Sequence, residues 1–415
     1  MMRVPVSFSL ALAAVPVLFL NPHITPVMLL QRMMVSYGSF IFLSVPFFIL
    51  AALIMNSAGI TDRLMRLARA LVGVLPGGLS HVNVMVSMLF AGISGSSNAD
   101  AGGIGSIMIP AMIKEGYDKK YSVAVTACSA VMGVIIPPSI VMIIWGGIMN
   151  VSVAALFLAG IVPGVLIGLA QIALGLLFAW KRHYPRISGF SIPEILISLR
   201  GSLLALFSPL IIIGGIVGGI FTPTEASLAA VVYSLILGFV VYRTVDIREF
   251  ARLMLASAKL SALALFAVGT ASIFGWVLAY YRVPVMLVDW LGPITNDPTV
   301  MLFIIVTLFL FVGTFMANVP AMVILGPLLM PLAQNANVHP LHFGIAGVIS
   351  LAFGLATPPY GLTLLISSEI AGINSIRAMR EVGAFLLAML VILVLVVVFP
   401  NLSLGLPKIV MPTTF

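Results

Sequence analysis

Charged side chains are scarce in this sequence. Its 415 residues include 20 lysines and arginines and 12 aspartates and glutamates, which together make up 8% of the chain. Soluble domains carry roughly a quarter charged residues, so a water-exposed globular protein is excluded. Cysteine is scarcer still, because Cys128 is the only one. An internal disulfide and a cysteine-based metal cluster are therefore excluded, and we expect Cys128 to be small buried filler.

Long apolar runs take the place of charge. Hydrophobic residues make up 61% of the sequence, and several runs are each about long enough to cross a bilayer. These runs are Val4–Leu20, Phe40–Met55, Leu156–Trp180, Leu203–Phe221, Ala226–Val241, Leu260–Ala279 and Val382–Phe399. No small-residue cleavage site follows the first run, which favours a span over a signal peptide. The sequence predicts an all-α polytopic membrane protein.

The net charge of +8 comes from basic loops between these runs. Nucleic-acid binding is not expected, because lysine and arginine in short loops mark the cytoplasmic face of a membrane protein. Five basic clusters are assigned to that face: Arg63/Arg66/Arg69, Lys114/Lys119/Lys120, Lys181/Arg182/Arg186, Arg243/Arg248/Arg252/Lys259 and Arg377/Arg380.

Glycine and proline recur in a register that repeats once. A shift of 221 residues places the stretch Gly92–Ser139 on the stretch Gly313–Tyr360. The shift superposes Gly92 on Gly313, Gly105 on Gly326, Pro110 on Pro331, Gly133 on Gly354, and Pro137-Pro138 on Pro358-Pro359. These residue types fix backbone shape rather than side-chain chemistry. The chain therefore makes one backbone shape twice.

Loop charge indicates that the two copies enter the membrane from opposite faces. The segments flanking the first copy's interrupted stretch carry six basic residues, whereas Arg282 is the only one flanking the second. By the positive-inside rule the copies are inverted relative to each other. An inverted repeat is typical of secondary transporters.

Residues 80–112 are too interrupted to form one straight span. Four polar side chains break the apolar sequence there: Ser94, Ser96, Ser97 and Asn98. Non-helical backbone survives at membrane depth only when it is buried or lines a cavity, which predicts a re-entrant hairpin whose oxygen-rich tip suits an alkali cation. A packing face of small residues is the alternative. The embedded Asp100 favours the functional interpretation, because an intramembrane carboxylate is costly.

A broken helix is predicted over residues 121–150, where Gly133 and Pro137-Pro138 lie near the middle. Two consecutive prolines remove two hydrogen-bond donors. Half-helices that end at the midplane point carbonyls at a cation or amides at an anion, and Ser139 begins the second half. A simple proline kink is the alternative.

The second copy predicts the same two elements. Its hairpin is expected at about residues 298–333, with Thr314 and Asn318 as the polar groups of the tip. Its broken helix is expected over residues 342–371, with Pro358-Pro359 at the break.

Two charged residues outside these elements can each be interpreted in two ways. Glu225 either lies in the first turn of a helix capped by Thr224, or it stabilises an intramembrane loop or faces a partner. Arg282 either clamps a substrate carboxylate with its planar guanidinium or snorkels to the headgroups.

Amphipathic segments are expected at the membrane surface, separate from the spans that follow them. Ser191–Arg200 is expected to lie along the membrane before the span Leu203–Ile220, and Thr244–Lys259 before the span Leu260–Ala279. The tail after the last span is expected to be polar and external.

Four motifs resemble the signature segments of one transporter family. They are GISGSSNADAGG at Gly92–Gly103, IPPS at Ile136–Ser139, FTPTEA at Phe221–Ala226 and TPPYG at Thr357–Gly361. In these motifs the chain resembles the large membrane (M, DctM-like) subunit of tripartite ATP-independent periplasmic (TRAP) transporters, and the likeness covers essentially the whole chain. The Ser-Ser-Asn-Ala-Asp segment is similar to the sialic-acid type.

The resemblance implies an elevator-type carrier, in which a transport domain slides against a scaffold. Residues 1–38 and 151–259 would supply scaffold and arm helices, 39–150 and 260–381 the two halves of the transport domain, and 382–415 the last span and an external tail. It also implies sodium-driven uptake through the bacterial inner membrane, a periplasmic binding protein that delivers the substrate, and a small membrane (Q) subunit packed on the scaffold.

The resemblance also implies two sodium sites. The first falls on Ser94, Ser96, Asn98, Gly133 and Pro137, and the second on Thr314, Met316, Asn318, Gly354 and Thr357. Many family members have an aspartate directly after Gly-x-Phe-Met, where this chain has Ala317-Asn318. We expect the anionic substrate to be contacted by Ser97, Asp100, Ser139, Arg282 and Pro359. Structural or gating roles are expected for Glu225, Pro138 and Pro358.

Other functional classes fit less well. A single-subunit sodium-coupled anion carrier of the same architecture is the alternative, whereas a channel would need a continuous polar pore. An enzyme is not expected, because the five histidines are scattered and form no metal-ligand spacing. The expected cargo is a carboxylate such as sialic acid or a C4-dicarboxylate.

Overall fold

The computed structural model describes residues 6–187, 191–295 and 297–412, and these residues form helices and turns without any strand. The described helices up to residue 187 are α1 (Val6–Leu20), α2 (Pro26–Tyr37), α3 (Ser44–Ser57), α4 (Ile60–Val72), α5 (Gly78–Ser94), α6 (Ser97–Lys114), α7 (Lys119–Ala130), α8 (Ile140–Met149) and α9 (Val153–Arg182). Those that follow are α10 (Ile192–Val217), α11 (Pro223–Leu235), α12 (Ile247–Tyr280), α13 (Val283–Leu291), α14 (Pro298–Gly313), α15 (Asn318–Asn335), α16 (Pro340–Gly354), α17 (Leu362–Ala371), α18 (Ser375–Val398) and α19 (Asn401–Val410). Short 3-10 turns lie at Phe40–Leu43, Val131–Val134 and Gly292–Ile294, and a π-helical turn at Ile236–Val241.

Several of these helices suit a bilayer. Six described stretches are long and apolar enough to cross a membrane by length and composition: Phe40–Ser57, Val153–Arg182, Ile192–Val217, Pro223–Val241, Ile247–Tyr280 and Ser375–Val398. Helices satisfy their own backbone groups, which lipid cannot do. The chain is an all-helical polytopic membrane protein, as predicted. The predicted first span begins at Val4, and residues 4 and 5 lie outside the described residues.

Helix boundaries recur along the chain with the glycine–proline register. Helix α6 spans Ser97–Lys114 and α15 spans Asn318–Asn335, so the two are 221 residues apart at both ends. In each half, two helices joined by a short turn pack against each other, α5 with α6 and α14 with α15. A helix that breaks at a Pro-Pro pair and a second, shorter helix then follow in both halves. The repeated sequence register thus accompanies a repeated order of helices.

The two halves share one core through Trp145. This residue lies on α8 of the first half and is fully buried, and it packs against Phe309 and Phe343 of the second half with ring centroids 5.9 Å and 5.4 Å away. Helix α16 offers Gly344 and Gly347 on the face that meets the indole. Because glycine leaves room where a side chain would clash, the first half inserts a large ring into a notch of the second.

Two surface segments are expected to be separate from the span that follows each of them, and this expectation is wrong. Helix α10 runs without interruption through Arg200-Gly201, and α12 runs for 34 residues through Lys259-Leu260. A single glycine in a helix costs only about 1 kcal/mol, and α12 has no glycine or proline before Gly269. A continuous helix keeps every backbone group paired. The predicted boundary at residue 259 therefore lies inside a helix.

The segment after the last span is not a free polar tail. Residues 401–410 form α19, which packs against α9 and α16. Ser403 and Leu404 are buried there, and the Ser403 hydroxyl donates to the Pro400 carbonyl at 3.0 Å. Ser403, Leu404 and Pro407 recur at helical spacing, so they fall on one face of α19, and all three are buried. Residues 413–415 of the predicted tail lie outside the described residues.

The notch around Trp145 predicts opposite effects for the same substitution at two glycines. A methyl group on Gly347 would lie 2.8 Å from Cη2 of the buried Trp145 ring, whereas nothing lies within 4 Å of one on Gly383. We expect Gly347→Ala to lower the free energy of unfolding by about 1–3 kcal/mol through overpacking. Gly383→Ala should raise it by about 0.5–1 kcal/mol, because alanine favours the helix. Thermal unfolding of the purified protein measures both, and equal effects would contradict the shared core.

Candidate functional site

The tip of the first hairpin is a two-residue turn, Gly95-Ser96, between α5 and α6. Gly95 has a left-handed backbone (φ 60°), and a methyl group there would lie 2.8 Å from the Pro138 carbonyl oxygen. The Ile140 amide donates to the Gly95 carbonyl at 3.4 Å. Only glycine permits both the conformation and this close approach. The tip is therefore docked on the Pro137-Pro138 segment.

Asp100 is the centre of the first tip. Its side chain is fully buried, and the Ser94 hydroxyl donates to its Oδ1. The other oxygen, Oδ2, has no hydrogen-bond partner among the described residues and faces the helix break, where a methyl group on Gly133 would lie 2.5 Å from it. A buried carboxylate oxygen without a partner is costly, so a positive ligand in this position would be stabilising.

Further oxygen atoms lie around this carboxylate. The Ser97 hydroxyl is buried and donates to the Val131 carbonyl at 3.2 Å. The Ser96 amide donates to the Ser94 hydroxyl at 3.3 Å, and the Ser96 side chain is half-buried. Hydroxyl, carbonyl and carboxylate oxygens are the ligands that hard cations prefer. The first tip and the first helix break thus form one oxygen-rich site.

The first break lies where two prolines interrupt the helix. Helix α7 ends in the 3-10 turn Val131–Val134, and α8 starts after Ser139. The Ser139 hydroxyl donates to the Val134 carbonyl at 2.7 Å and accepts from the Met142 amide at 3.3 Å. Ser139 is therefore the N-cap of α8. The peptide bonds Pro137-Pro138 and Pro358-Pro359 are both cis.

The second tip is built from backbone contacts. A methyl group on Gly354 would overlap the Gly313 carbonyl, so the end of α14 packs directly on the end of α16. The Tyr360 amide donates to the Thr314 carbonyl at 2.8 Å. The hydroxyls of Thr314 and Thr357 donate to carbonyls within their own turns, at Phe311 and Phe353. The second tip thus meets the second break as the first tip meets the first.

Asn318 differs from these residues of the second tip, because its side chain lacks hydrogen-bond partners. Its side chain is 5% exposed, and neither its amide nitrogen nor its amide oxygen has a partner among the described residues. Ala321 stands 221 residues after Asp100, so no carboxylate takes the corresponding position. Among the described residues, the second site offers neutral oxygens only.

The structure brings some of the sequence-predicted residues together and leaves others apart. The first site contains seven of them: Ser94, Ser96, Ser97, Asp100, Gly133, Pro137 and Pro138. The second site contains five: Thr314, Asn318, Gly354, Thr357 and Pro358. Met316 is half-buried at the second tip. Asn98, Arg282 and Pro359 are exposed, and no described contact brings them to the buried oxygens. Their ligand roles stay predictions.

Glu225 has the capping role, with a different partner from the one expected. Its carboxylate accepts from the Thr222 amide at 2.7 Å, and the Thr222 hydroxyl accepts from the Glu225 amide at 3.3 Å, which is a reciprocal capping box. The Thr224 hydroxyl instead donates to the Phe40 carbonyl at 3.0 Å. The expectation that Thr224 is the cap is therefore wrong, because Pro223 occupies the first helical position and places the cap one residue earlier.

A row of buried polar side chains between α5 and α7 escaped the sequence analysis. The Ser80 and Tyr121 hydroxyls are 2.7 Å apart, the Asn83 amide donates to the Thr126 hydroxyl at 2.6 Å, and the Ser87 hydroxyl donates to that of Ser129 at 3.0 Å. Positions 80, 83 and 87 recur on one helix face, a spacing that the sequence does show. We call these six residues the polar ladder.

Comparison with known families decides the identity of the chain. Residues 1–402 match the family described as "Tripartite ATP-independent periplasmic transporter, DctM component". The chain belongs to this family. The expected resemblance to the TRAP large membrane subunit is confirmed.

Relatives of the DctM family carry several substrate names. The chain is 38% identical over 404 residues to the sialic acid TRAP transporter large permease protein SiaM of Vibrio cholerae, covering 97% of this chain and 95% of the relative. It is 36% identical to the C4-dicarboxylate TRAP transporter large permease protein DctM of Pseudomonas aeruginosa, covering 88% and 86%. It is 35% identical to the isethionate TRAP transporter permease protein DctMQ of Oleidesulfovibrio alaskensis, covering 96% of this chain and 63% of the relative. All are permeases, so this chain is a transport protein and not an enzyme.

The two asparagines that are buried among the described residues predict opposite effects of the same change. Asn318 has no partner among the described residues, whereas Asn83 is fully buried and bonded to Thr126. We expect Asn318→Leu to raise the free energy of unfolding in sodium-free buffer by about 1–3 kcal/mol, because it removes an unsatisfied buried amide. Asn83→Leu should lower it by a similar amount, since it removes the hydrogen bond that the Asn83 amide donates to the Thr126 hydroxyl, which then keeps only its bond to the Ser122 carbonyl. Thermal unfolding in choline buffer checks both. A loss of stability in Asn318→Leu would show that its amide is satisfied.

Proposed function

We propose that this DctM-family chain is the large membrane subunit of a sodium-coupled TRAP transporter that takes up an organic acid by an elevator movement. The observation that carries the proposal is the unpartnered Oδ2 of buried Asp100, which faces the helix break at Gly133. A carboxylate held in this way inside a membrane protein is expensive unless a cation pairs with it. Sodium is a hard cation that suits the surrounding hydroxyl and carbonyl oxygens.

The inversion of the repeat, which we infer from loop charge, supports the elevator part of the proposal. Loop charge assigns the segments around the first hairpin to the cytoplasm and those around the second to the outside. Each tip meets a helix break, and binding sites of secondary transporters lie where such repeats meet. Residues 39–150 and 260–381 would then move together, while 1–38, 151–259 and 382–415 hold the scaffold.

The partners follow from the tripartite family. We propose that a small membrane (Q) subunit packs on the scaffold in the bacterial inner membrane and that a periplasmic binding protein delivers the substrate. The name DctMQ of one relative, of which this chain covers 63%, supports a second membrane component. Membership in a tripartite family favours this arrangement over the single-subunit carrier.

The cargo we propose is a carboxylate of the sialic acid or C4-dicarboxylate class, after the names of the relatives. Ser139 can contribute one kind of contact only. Its single hydroxyl hydrogen is donated to Val134, its oxygen accepts from the Met142 amide, and the side chain is fully buried. It therefore cannot donate to a carboxylate, and it could accept a hydrogen bond from a substrate hydroxyl only after the helix break opens. The donor to the carboxylate would be Arg282, which is exposed at the start of α13.

Sodium dependence tests the coupling directly. The chain, reconstituted in liposomes with its small membrane subunit and loaded binding protein, should accumulate labelled substrate under an inward sodium gradient. Replacement of sodium by choline should abolish accumulation, because the Asp100 carboxylate would cross the membrane unpaired. Undiminished uptake in choline would refute sodium coupling.

The Asp100 carboxylate should set the sodium affinity. We expect Asp100→Asn to raise the sodium concentration for half-maximal uptake by about tenfold to hundredfold, since hydrogen bonds and contacts to a charged group are worth roughly 1.5–3 kcal/mol. Glu369→Gln removes a carboxylate that is exposed on α17 and serves as the matched control, which should keep the original sodium dependence. An unchanged sodium dependence in Asp100→Asn would place the cation elsewhere.

A further inference from the structure

The polar ladder joins the first hairpin to the helix that carries the first break. Its three rungs pair Ser80 with Tyr121, Asn83 with Thr126 and Ser87 with Ser129, and all six side chains are buried. Partner numbers rise together along both helices, so α5 and α7 run parallel. Each buried hydrogen bond fixes the register of the two helices, because a shift would leave its donor unpaired.

The ladder leads to the proposed cation site. Two residues past the Ser129 rung, the Val131 carbonyl accepts from Ser97, and Gly133 then faces Asp100. The second arm of the hairpin is held at the same place, since a methyl group on Gly105 of α6 would lie 3.2 Å from Cγ2 of Thr126. Helices α5, α6 and α7 therefore pack together around Asp100.

The described residues of the second half form no equivalent of the ladder. The positions 221 residues after Ser80, Asn83 and Ser87 are Met301, Ile304 and Leu308, which are apolar. Ser350, which corresponds to Ser129, donates only to the Ala346 carbonyl of its own helix, at 2.6 Å. The ladder thus distinguishes the first cation site from the second.

We propose that Asn83, Ser87, Thr126 and Ser129 are positioning residues that hold Asp100 in place for its cation, so that the first site is formed before sodium binds. This inference rests on the proposed function, because it assigns a preformed geometry to one of the two proposed sodium sites. The ladder residues do not touch the cation. They act by fixing the hairpin that carries the carboxylate against the break that carries Gly133.

The test measures sodium-dependent thermal stabilisation of the purified full chain with its small membrane subunit, titrated with sodium chloride at constant ionic strength in choline chloride. Thr126→Val and Ser129→Ala remove one hydroxyl each and should raise the sodium concentration at half-maximal stabilisation by about tenfold, the effect expected when a buried hydrogen bond no longer holds the site in its binding geometry. Thr126→Ser keeps the hydroxyl, although it removes the Cγ2 methyl group beside Gly105, and should restore most of the original value.

Ser350→Ala is the matched control, because it removes an equally buried hydroxyl from the corresponding position of the second half. It should leave the sodium midpoint unchanged. In an Asp100→Asn background, Ser129→Ala should have no additional effect on the midpoint, since both changes act on one site. Ser129→Ala keeps the test available if Thr126→Val does not fold.

Two outcomes would overturn the inference and are distinguishable. A lower unfolding temperature with an unchanged sodium midpoint in the ladder variants would show that the ladder is structural only, and the proposed function would stand. No stabilisation of the unsubstituted protein by sodium would remove the proposed sodium sites, and the inference with them.

Discussion

Each hairpin tip is bonded through its backbone to the helix break beside it, and the rest of the site depends on this pairing. The Gly95 carbonyl accepts from the Ile140 amide, and the Thr314 carbonyl accepts from the Tyr360 amide, in both cases just past a Pro-Pro pair. Lipid offers no partner to a peptide group outside a helix. The tip and the break would each be unstable alone, but each satisfies hydrogen-bonding groups of the other's backbone. The two therefore have to lie at the same depth in the membrane.

The same backbone scaffold carries different chemistry in the two halves. Asp100 gives the first site a negative charge, while the corresponding Ala321 leaves the second with the amide of Asn318 and carbonyl oxygens. Glycines and prolines set the shape, so the side chains at the tips were free to differ. The polar ladder adds a second difference, because it fastens only the first hairpin to its neighbour.

Sequence patterns predicted the breaks well because glycine and proline act locally. Gly95 and Pro137-Pro138 dictate where a helix stops, whatever surrounds them. Continuity was harder to predict: α10 passes through Gly201 because the gain from paired backbone in lipid exceeds the local cost of one glycine. The ladder was missed because its pairs are long-range, and only the fold shows that Asn83 meets Thr126 rather than a neighbour on its own helix. The side-chain roles of Asn98, Arg282 and Pro359 stay predictions, because these exposed residues make no described contact with the buried oxygens of either tip.

The interlocked core links the charges of the two proposed sites. Because Trp145 of the first half is buried between helices of the second, neither tip can move through the membrane without the other. Under the proposed function, the Asp100 carboxylate, the sodium ions, Arg282 and the substrate would therefore cross as one unit. An uncompensated charge in a bilayer costs several kcal/mol. The charges bound at the two tips therefore have to balance together, because neither site can cross without the charge of the other.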